Sequence, residues 1–551
     1  MTGGLVGILL FFAFYGSKTL DITYVDWLLA KGDMSQHYLG WEFFRKSNWL
    51  FPLGLCNNLS YPETSSVIFT DSIPLIAIPL KFFTSLLPEQ CQFFGWYVLF
   101  AFFFQGAFAA LIIYKITHNA ILSISFSSVL CTLPLFNWRV FTHVSLTSHY
   151  IILTCILLLL CYRELLKTNP VRLIFLWSVL SFLSTSTHFY FTLMVLLFCL
   201  TYIVNDVVTT KKISTTHFLT IIIPSIISVL TLYLYGGLSS DVQPVNTANS
   251  GGLGFFSANL NTFWNPITDG EGGTYCSSFL KNCTVFHIAT KGQYEGFAYL
   301  GLGIHIILFF CIIMAFFNNA VNVRLRSTIK NNRTTLLLTI FLCIILLFIA
   351  LSPEVTFGKY KLFHYPIPDF ISTVWSVFRA TGRFIWPLAY LLLIGIFYVL
   401  SVIVNSFTKK GFFYLIFSLF LSVQFLDIVP WSLAEGNRKI EASYNPPSNT
   451  VEISNLMASK KHLLFCDDFI FSEANSLLFI AQKNNVSSNI FYFSRSLPYY
   501  ASEKAAMAMH SFVTPSEECI YAFRSQNKES NLQSNDGLKQ INAGYYCLFY
   551  K

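Results

Sequence analysis

Asp33, His37, Glu42, Arg45, Glu63 and Asp71 are gathered between residues 31 and 71, beside Trp41 and Trp49, in a chain that is only 11% charged. A carboxylate in such a stretch can act as a general base on an acceptor hydroxyl or hold a phosphate-bound metal ion. The Trp faces suit a sugar ring or a membrane interface. The plainer alternative makes Trp41 and Trp49 interfacial anchors and Asp33 the cap of a short amphipathic helix. Further along, Arg139 can grip a phosphate with two parallel hydrogen bonds, which Lys does less well. Arg379 and Arg383, in SVFRATGRFIWP, are four apart, a spacing that on a helix makes one basic face. That face suits a lipid phosphate, or else two arginines snorkelling to headgroups. His143, His149 and His188 stand at the ends of apolar runs, where each could bind substrate, tune a carboxylate or merely cap a helix.

The elements that must position these residues are membrane spans. The 551 residues are 54% hydrophobic and 17% aromatic with 58 Phe, and the mean hydropathy is +0.58. A soluble protein of this composition would aggregate, whereas lipid accepts Phe and Leu all round a helix. The net charge of +8 lies in short clusters between apolar runs and is no footprint of nucleic acid. Eleven spans are expected, near 3–16, 93–114, 119–136, 146–162, 171–186, 190–205, 216–236, 298–318, 334–351, 384–405 and 411–428. Residues 1–16 lack a basic start and a cleavage site, so they are expected to stay as the first helix.

Basic clusters at 163–172, 211–212, 324–333 and 409–410 are each separated by an even number of these spans. The positive-inside rule therefore puts them all in the cytoplasm, and puts loop 17–71, residues 137–149 and 186–190, loop 237–297 and 352–383 outside. This parity requires that residues 72–88, which contain Pro74, Pro79 and Pro88, do not cross the bilayer. Loop 237–297 starts Gly-rich and carries Phe255, Phe256, Phe263 and Trp264, the composition of an ordered lid. From residue 431 onward short apolar runs alternate with polar turns, and a small α/β domain on the outer face is expected. It holds no nucleophile elbow, no HExxH and no nucleotide-binding fingerprint. The thirteen cysteines follow no metal spacing, and disulfides joining Cys276 to Cys283 and Cys519 to Cys547 are open options.

A first helix, a large outer loop with an early acidic residue, many further helices and an outer C-terminal domain together resemble the GT-C-type membrane glycosyltransferases. Within that group the chain is similar to bacterial enzymes that modify O-antigen and convert serotype. The resemblance rests on GDMSQHYLGWEFFR, FTDSIPLIAIPLKFF, NTFWNP, YEGFAYLGLG and FRATGRFIWPL, and runs to about Pro430. It implies a transmembrane catalytic domain over 1–430 and a periplasmic domain over 431–551, in the bacterial inner membrane with the active site facing the periplasm. It further implies a hexose, such as glucose, moved from undecaprenyl phosphate to a lipopolysaccharide or other glycan acceptor.

The family's essential acidic residue maps onto Asp33, with Asp71 second. The chain departs from the family in having no DxD or ExD pair at Asp33, flanked by Gly32 and Met34. That favours a base working without a metal, and no other cofactor is expected. His37, Trp41, Arg45, Arg139, His143, His188, Arg379 and Arg383 are the candidate substrate-binding residues. A transporter or flippase of lipid-linked sugar is the alternative; it would show internal repeats and ionisable groups in mid-helix.

Overall fold

The computed structural model describes residues 1–30, 32–239, 253–268, 275–281, 283, 285–494, 500–527 and 537–551, with backbone only at 162–164, 166–168, 374 and 376. Each of the eleven expected spans coincides with a helix. Among the described residues, eight helices are long and apolar enough to cross a bilayer, or ten if two bent pairs each count as one span. The bent pairs are Ala120–Thr132 with Pro134–Val140, turning 46°, and Leu302–Phe317 with Asn319–Asn331, turning 95°. The shortfall from eleven is the first helix, Thr2–Tyr15. Its 14 residues reach about 21 Å at 1.5 Å each, less than the roughly 30 Å hydrocarbon layer. The protein is a multi-pass membrane protein whose helices meet lipid.

The first helix is held by close backbone contact. A Cβ at Gly7 would lie 2.0 Å from the Phe102 carbonyl oxygen, and one at Gly106 would lie 2.2 Å from that of Gly3. The two helices therefore touch where side chains are missing, the usual solution in lipid. Residues 72–88 form only the eight-residue helix Pro74–Lys81 and a 3-10 turn at Thr84–Leu86, too short to cross, as the parity argument requires. Asp71 does not cap this helix. The cap position is Ile73, without a side-chain cap bond.

Segments expected on the same side do gather together. Arg324 donates to the Asn405 carbonyl, Lys410 to Asn405 Oδ1 at 3.3 Å, and Thr335 to Asn205 Oδ1 at 3.2 Å, so three of the basic turns share one end of the helices. The first outer loop meets the C-terminal domain at the other end. Gln36 Nε2 donates to the Tyr492 carbonyl (2.8 Å), Lys504 Nζ to that of Ser60 (2.9 Å), and the Tyr61 ring stacks on His462 with centroids 3.8 Å apart.

That domain is a five-stranded sheet in the order Ser487–Ser488, His462–Phe465, Cys519–Arg524, Tyr546–Tyr550, Lys539–Ala543. The first three strands are parallel and the last two antiparallel, with helices Thr450–Ala458, Phe471–Lys483 and Tyr500–Phe512 around them. Its start differs from expectation, because helix Lys410–Ile440 runs through Pro430 without a break. All thirteen cysteines are free. On the sheet Cys547 pairs with Phe523, four residues along from Cys519, which is why those two do not meet. In loop 237–297, residues 253–268 are tied down by Ala258 N–H to the Ala350 carbonyl (2.7 Å) and Leu260 N–H to that of Thr356 (3.0 Å). Residues 240–252, 269–274, 282 and 284 of the expected lid lie outside the described residues.

Candidate functional site: carboxylates and arginines around His143

Helix Asp33–Lys46 starts after Gly32, whose φ of 76° is a conformation that suits glycine. Asp33 is the first helical residue and not the cap, and its carboxylate gains from the positive end of the helix dipole. One turn on, His37 lies on the same face and is fully buried. Its ring stacks over that of His143 at 6.0 Å between centroids and 29° between planes. Burial pulls the His37 imidazole down to about 4, so it is neutral at pH 7.

The rest of this helix does structural work. Trp41 donates Nε1–H to the Cys91 carbonyl at 2.9 Å. Arg45 grips Glu42 at 3.0 Å and the carbonyls of Pro88 and Glu89. Trp41 and Arg45, expected to touch substrate, are both buried, bonded to segment 88–91, and not among the residues lining the cavity described below.

Asp71 reaches the same place from the next turn. It holds a left-handed backbone (φ 55°), as does Ile73 (φ 51°), and a β-branched residue there is a true outlier. The turn is pinned by Ser72 Oγ–H to the His37 carbonyl (2.7 Å) and by the Thr70 and Ser72 hydroxyls, 2.8 Å apart. It presses so closely on the helix that a Cβ at Gly40 would fall 2.4 Å from Thr70 Cβ. Gly40→Val should therefore push the turn outward and displace Asp71. Overpacking of this kind costs about 1–3 kcal/mol, so the expected result is a lowered thermal midpoint in detergent, checked against the wild type.

His143 is the hub. Its Nε2 lies 3.6 Å from Asp33 Oδ2 and 3.7 Å from Glu295 Oε1, and its Nδ1 lies 3.5 Å from Asp71 Oδ2. His188 caps helix Phe189–Thr210 through Nδ1, which accepts from Tyr190 N–H at 3.4 Å, and turns Nε2 to within 3.6 Å of Asp71 Oδ1. Capping and facing the site are thus both true of it. Burial pushes the Asp71 carboxyl up, but the imidazoles of His188, His143 and His37 outweigh burial and hold it well below the usual carboxylate range. His149 is elsewhere, buried with Nδ1 2.6 Å from the Tyr390 hydroxyl.

Arg139 and Arg383 converge on Glu295, which carried no expectation. Arg383 meets its carboxylate through Nε (3.0 Å) and Nη2 (2.7 Å), and Arg139 through Nη1 (2.7 Å). Burial would raise the Glu295 carboxyl, but the two guanidiniums hold it well below its ordinary value. Arg139 is fully buried over the Trp386 ring and holds Glu295. Arg379 is free of this cluster and exposed, with its guanidinium 4.9 Å from the Phe256 ring centroid. The expected single helical face is corrected: helix Asp369–Ser376 ends before Arg379, and Arg383 sits in a separate 3-10 turn, Thr381–Ile385.

A cavity of about 360 Å³ opens beside these groups. Asp71, His143, His188, Arg379 and Arg383 line one part, with Ile68, Leu232, Leu238 and Val377 on the rest and Ser494 contributed by the C-terminal domain. Asp33 adjoins through His143, with 33% of its side chain exposed against 11% for Asp71. The acids Asp33, Asp71 and Glu295 thus stand near the imidazoles of His143 and His188 and the guanidinium of Arg383. The arrangement can hold an anionic amphiphile and accept a proton beside it.

Glu295 was present in YEGFAYLGLG as a single acid in an apolar run, and that isolation was the available signal. Asp427 is similar. It is buried in helix Lys410–Ile440 and accepts from the Ser277 hydroxyl, from Tyr299 O–H (2.8 Å) and from Leu302 N–H (2.8 Å), which fastens the segment carrying Glu295. No curated protein matches the chain. The family described as Domain of unknown function (DUF6311) matches residues 4–429, most of the helical part, ending inside helix Lys410–Ile440. The chain belongs to that family, DUF6311, with its C-terminal sheet lying beyond the matched region.

Proposed function

We propose that this protein transfers a hexose from a polyprenyl-phosphate donor to a glycan hydroxyl at the non-cytoplasmic face of the membrane. The observation that carries the reading is the cavity itself. Apolar walls at the membrane boundary fit a prenyl chain, Arg379 and the Nη1 of Arg383 fit its phosphate, and accessible carboxylates stand next to both. Asp33 is the general base, because it is the more exposed acid and its carboxylate is oriented beside His143. It takes the proton as the acceptor oxygen bonds to the anomeric carbon. The bond from that carbon to the phosphate oxygen breaks on the opposite face, inverting the configuration, and polyprenyl phosphate leaves. The arginines stabilise the charge that grows on the phosphate.

The transporter alternative draws on mid-helix ionisable groups, and Asp427 and the Asp206–His217 pair (3.0 Å) are buried near or within spans. Asp427 is accounted for as a fastening for loop 275–302, and Asp206 pairs at the end bearing the basic clusters, so neither marks a path across the bilayer. Comparing the O-antigen structure in cells with and without the protein tests the reading. A sugar branch present only with the protein supports transfer, and an unchanged glycan counts against it.

Orientation follows from the same proposal. A reporter active only outside the cytoplasm, fused after Lys551, should be active, because the C-terminal domain packs on the first outer loop. Activity of a cytoplasmic reporter at that position instead would put the site on the wrong side for lipid-linked donors.

A further inference from the structure

We propose that His37, Asp71 and His143 form a binding site for a divalent transition-metal ion, with Zn²⁺ the best match. One ligand atom from each lies within 4.8 Å of the other two. His37 is fully buried, yet among the described residues neither ring nitrogen meets a hydrogen-bond partner, and His143 Nδ1 is likewise buried and unsatisfied there. Leaving such nitrogens bare is costly, and a shared metal would take one nitrogen from each imidazole.

The outer contacts fit a metal better than a proton network. Ligands about 2.0–2.1 Å from a tetrahedral Zn²⁺ stand about 3.4 Å apart. The 3.5 Å between His143 Nδ1 and Asp71 Oδ2 is close to that edge, and is long for a charged hydrogen bond. Bringing the ligand atoms, now within 4.8 Å of one another, to that edge needs the widest gap to close by up to about 1.4 Å, shared between two side chains. Metal-bound histidines usually give their other N–H to a carboxylate, and His143 Nε2 faces both Asp33 and Glu295. Asp71 also has an outer partner, with Oδ1 toward His188. Two imidazoles and a carboxylate select Zn²⁺ and its neighbours over Mg²⁺, which prefers oxygen and keeps its water. Asp71 and His143 border the cavity, so the fourth position faces it and suits water or an anionic oxygen. The site stands on this donor set and does not require the transferase reading.

The test uses full-length protein purified in detergent, stripped with EDTA, dialysed against ZnCl₂ and analysed for metal content. One Zn²⁺ per chain is expected, with affinity lowered at least tenfold in His37→Ala and in Asp71→Asn. X-ray absorption on the Zn-loaded wild type reads the ligands without any variant, and should show two imidazoles with oxygen completing the shell. Retention of less than about 0.1 Zn²⁺ per chain overturns the proposal. So does stoichiometric Zn²⁺ with no imidazole in the shell, or with unchanged affinity in both variants. These readouts do not depend on transfer, so an inactive protein that binds Zn²⁺ would sink the proposed function and leave the metal site standing.

Discussion

Asp33→Asn should accumulate in the membrane at wild-type levels and transfer sugar at least 100-fold more slowly. The side chain keeps its size and can no longer take a proton, and general-base catalysis is worth about 100- to 10,000-fold. Folding should survive because Asp33 is partly exposed and sits in the first turn of its helix. Asp71→Asn is the informative partner. It does not cap the following helix, and it is enclosed by three histidines, so its loss should also reduce turnover strongly. Measuring both variants at matched levels decides between the acids. Full activity in Asp33→Asn with loss in Asp71→Asn would move the base to Asp71.

Glu295→Gln is expected to be the most destabilising single change in the site. It removes the carboxylate with which both Arg139 and Arg383, each buried, form ion pairs. Breaking a buried pair from one side costs about 3–5 kcal/mol, because the remaining charge stays buried without compensation. Here two such charges are left. The thermal midpoint in detergent should fall and the extractable yield should drop with it. Combining Glu295→Gln with Arg383→Gln should recover part of the loss, since the second change removes one orphaned charge. A single variant as stable as wild type would mean that water or lipid already solvates the arginines.

The helices were legible because lipid enforces an unbroken apolar run, which no soluble constraint imitates. The basic turns were legible for a related reason, and three of them do share one end of the structure. The site was legible only as residue types. Asp33 and Asp71 lie in one loop, but His143, His188 and Arg383 arrive from three separate helix ends, a convergence that belongs to tertiary packing. Trp41 and Arg45 misled because their chemistry suits sugars and phosphates, while their geometry turns them toward Cys91 and residues 88–89. Arg379 and Arg383 keep their cavity but lose their shared face, because the helix ends between them. Glu295 escaped notice because nothing local in a lone acid reveals that two distant arginines will close on it.

The central claim is that this cavity breaks the bond between a sugar and a lipid phosphate. The most direct measurement is made with purified protein in vesicles, given polyprenyl-phosphate hexose labelled in the sugar and a glycan acceptor. Label should pass to the glycan as free polyprenyl phosphate appears in equal amount, and Asp33→Asn should abolish both together. Label that crosses the vesicle membrane still attached to its lipid, with no polyprenyl phosphate released, would contradict the account and make the protein a carrier of its donor.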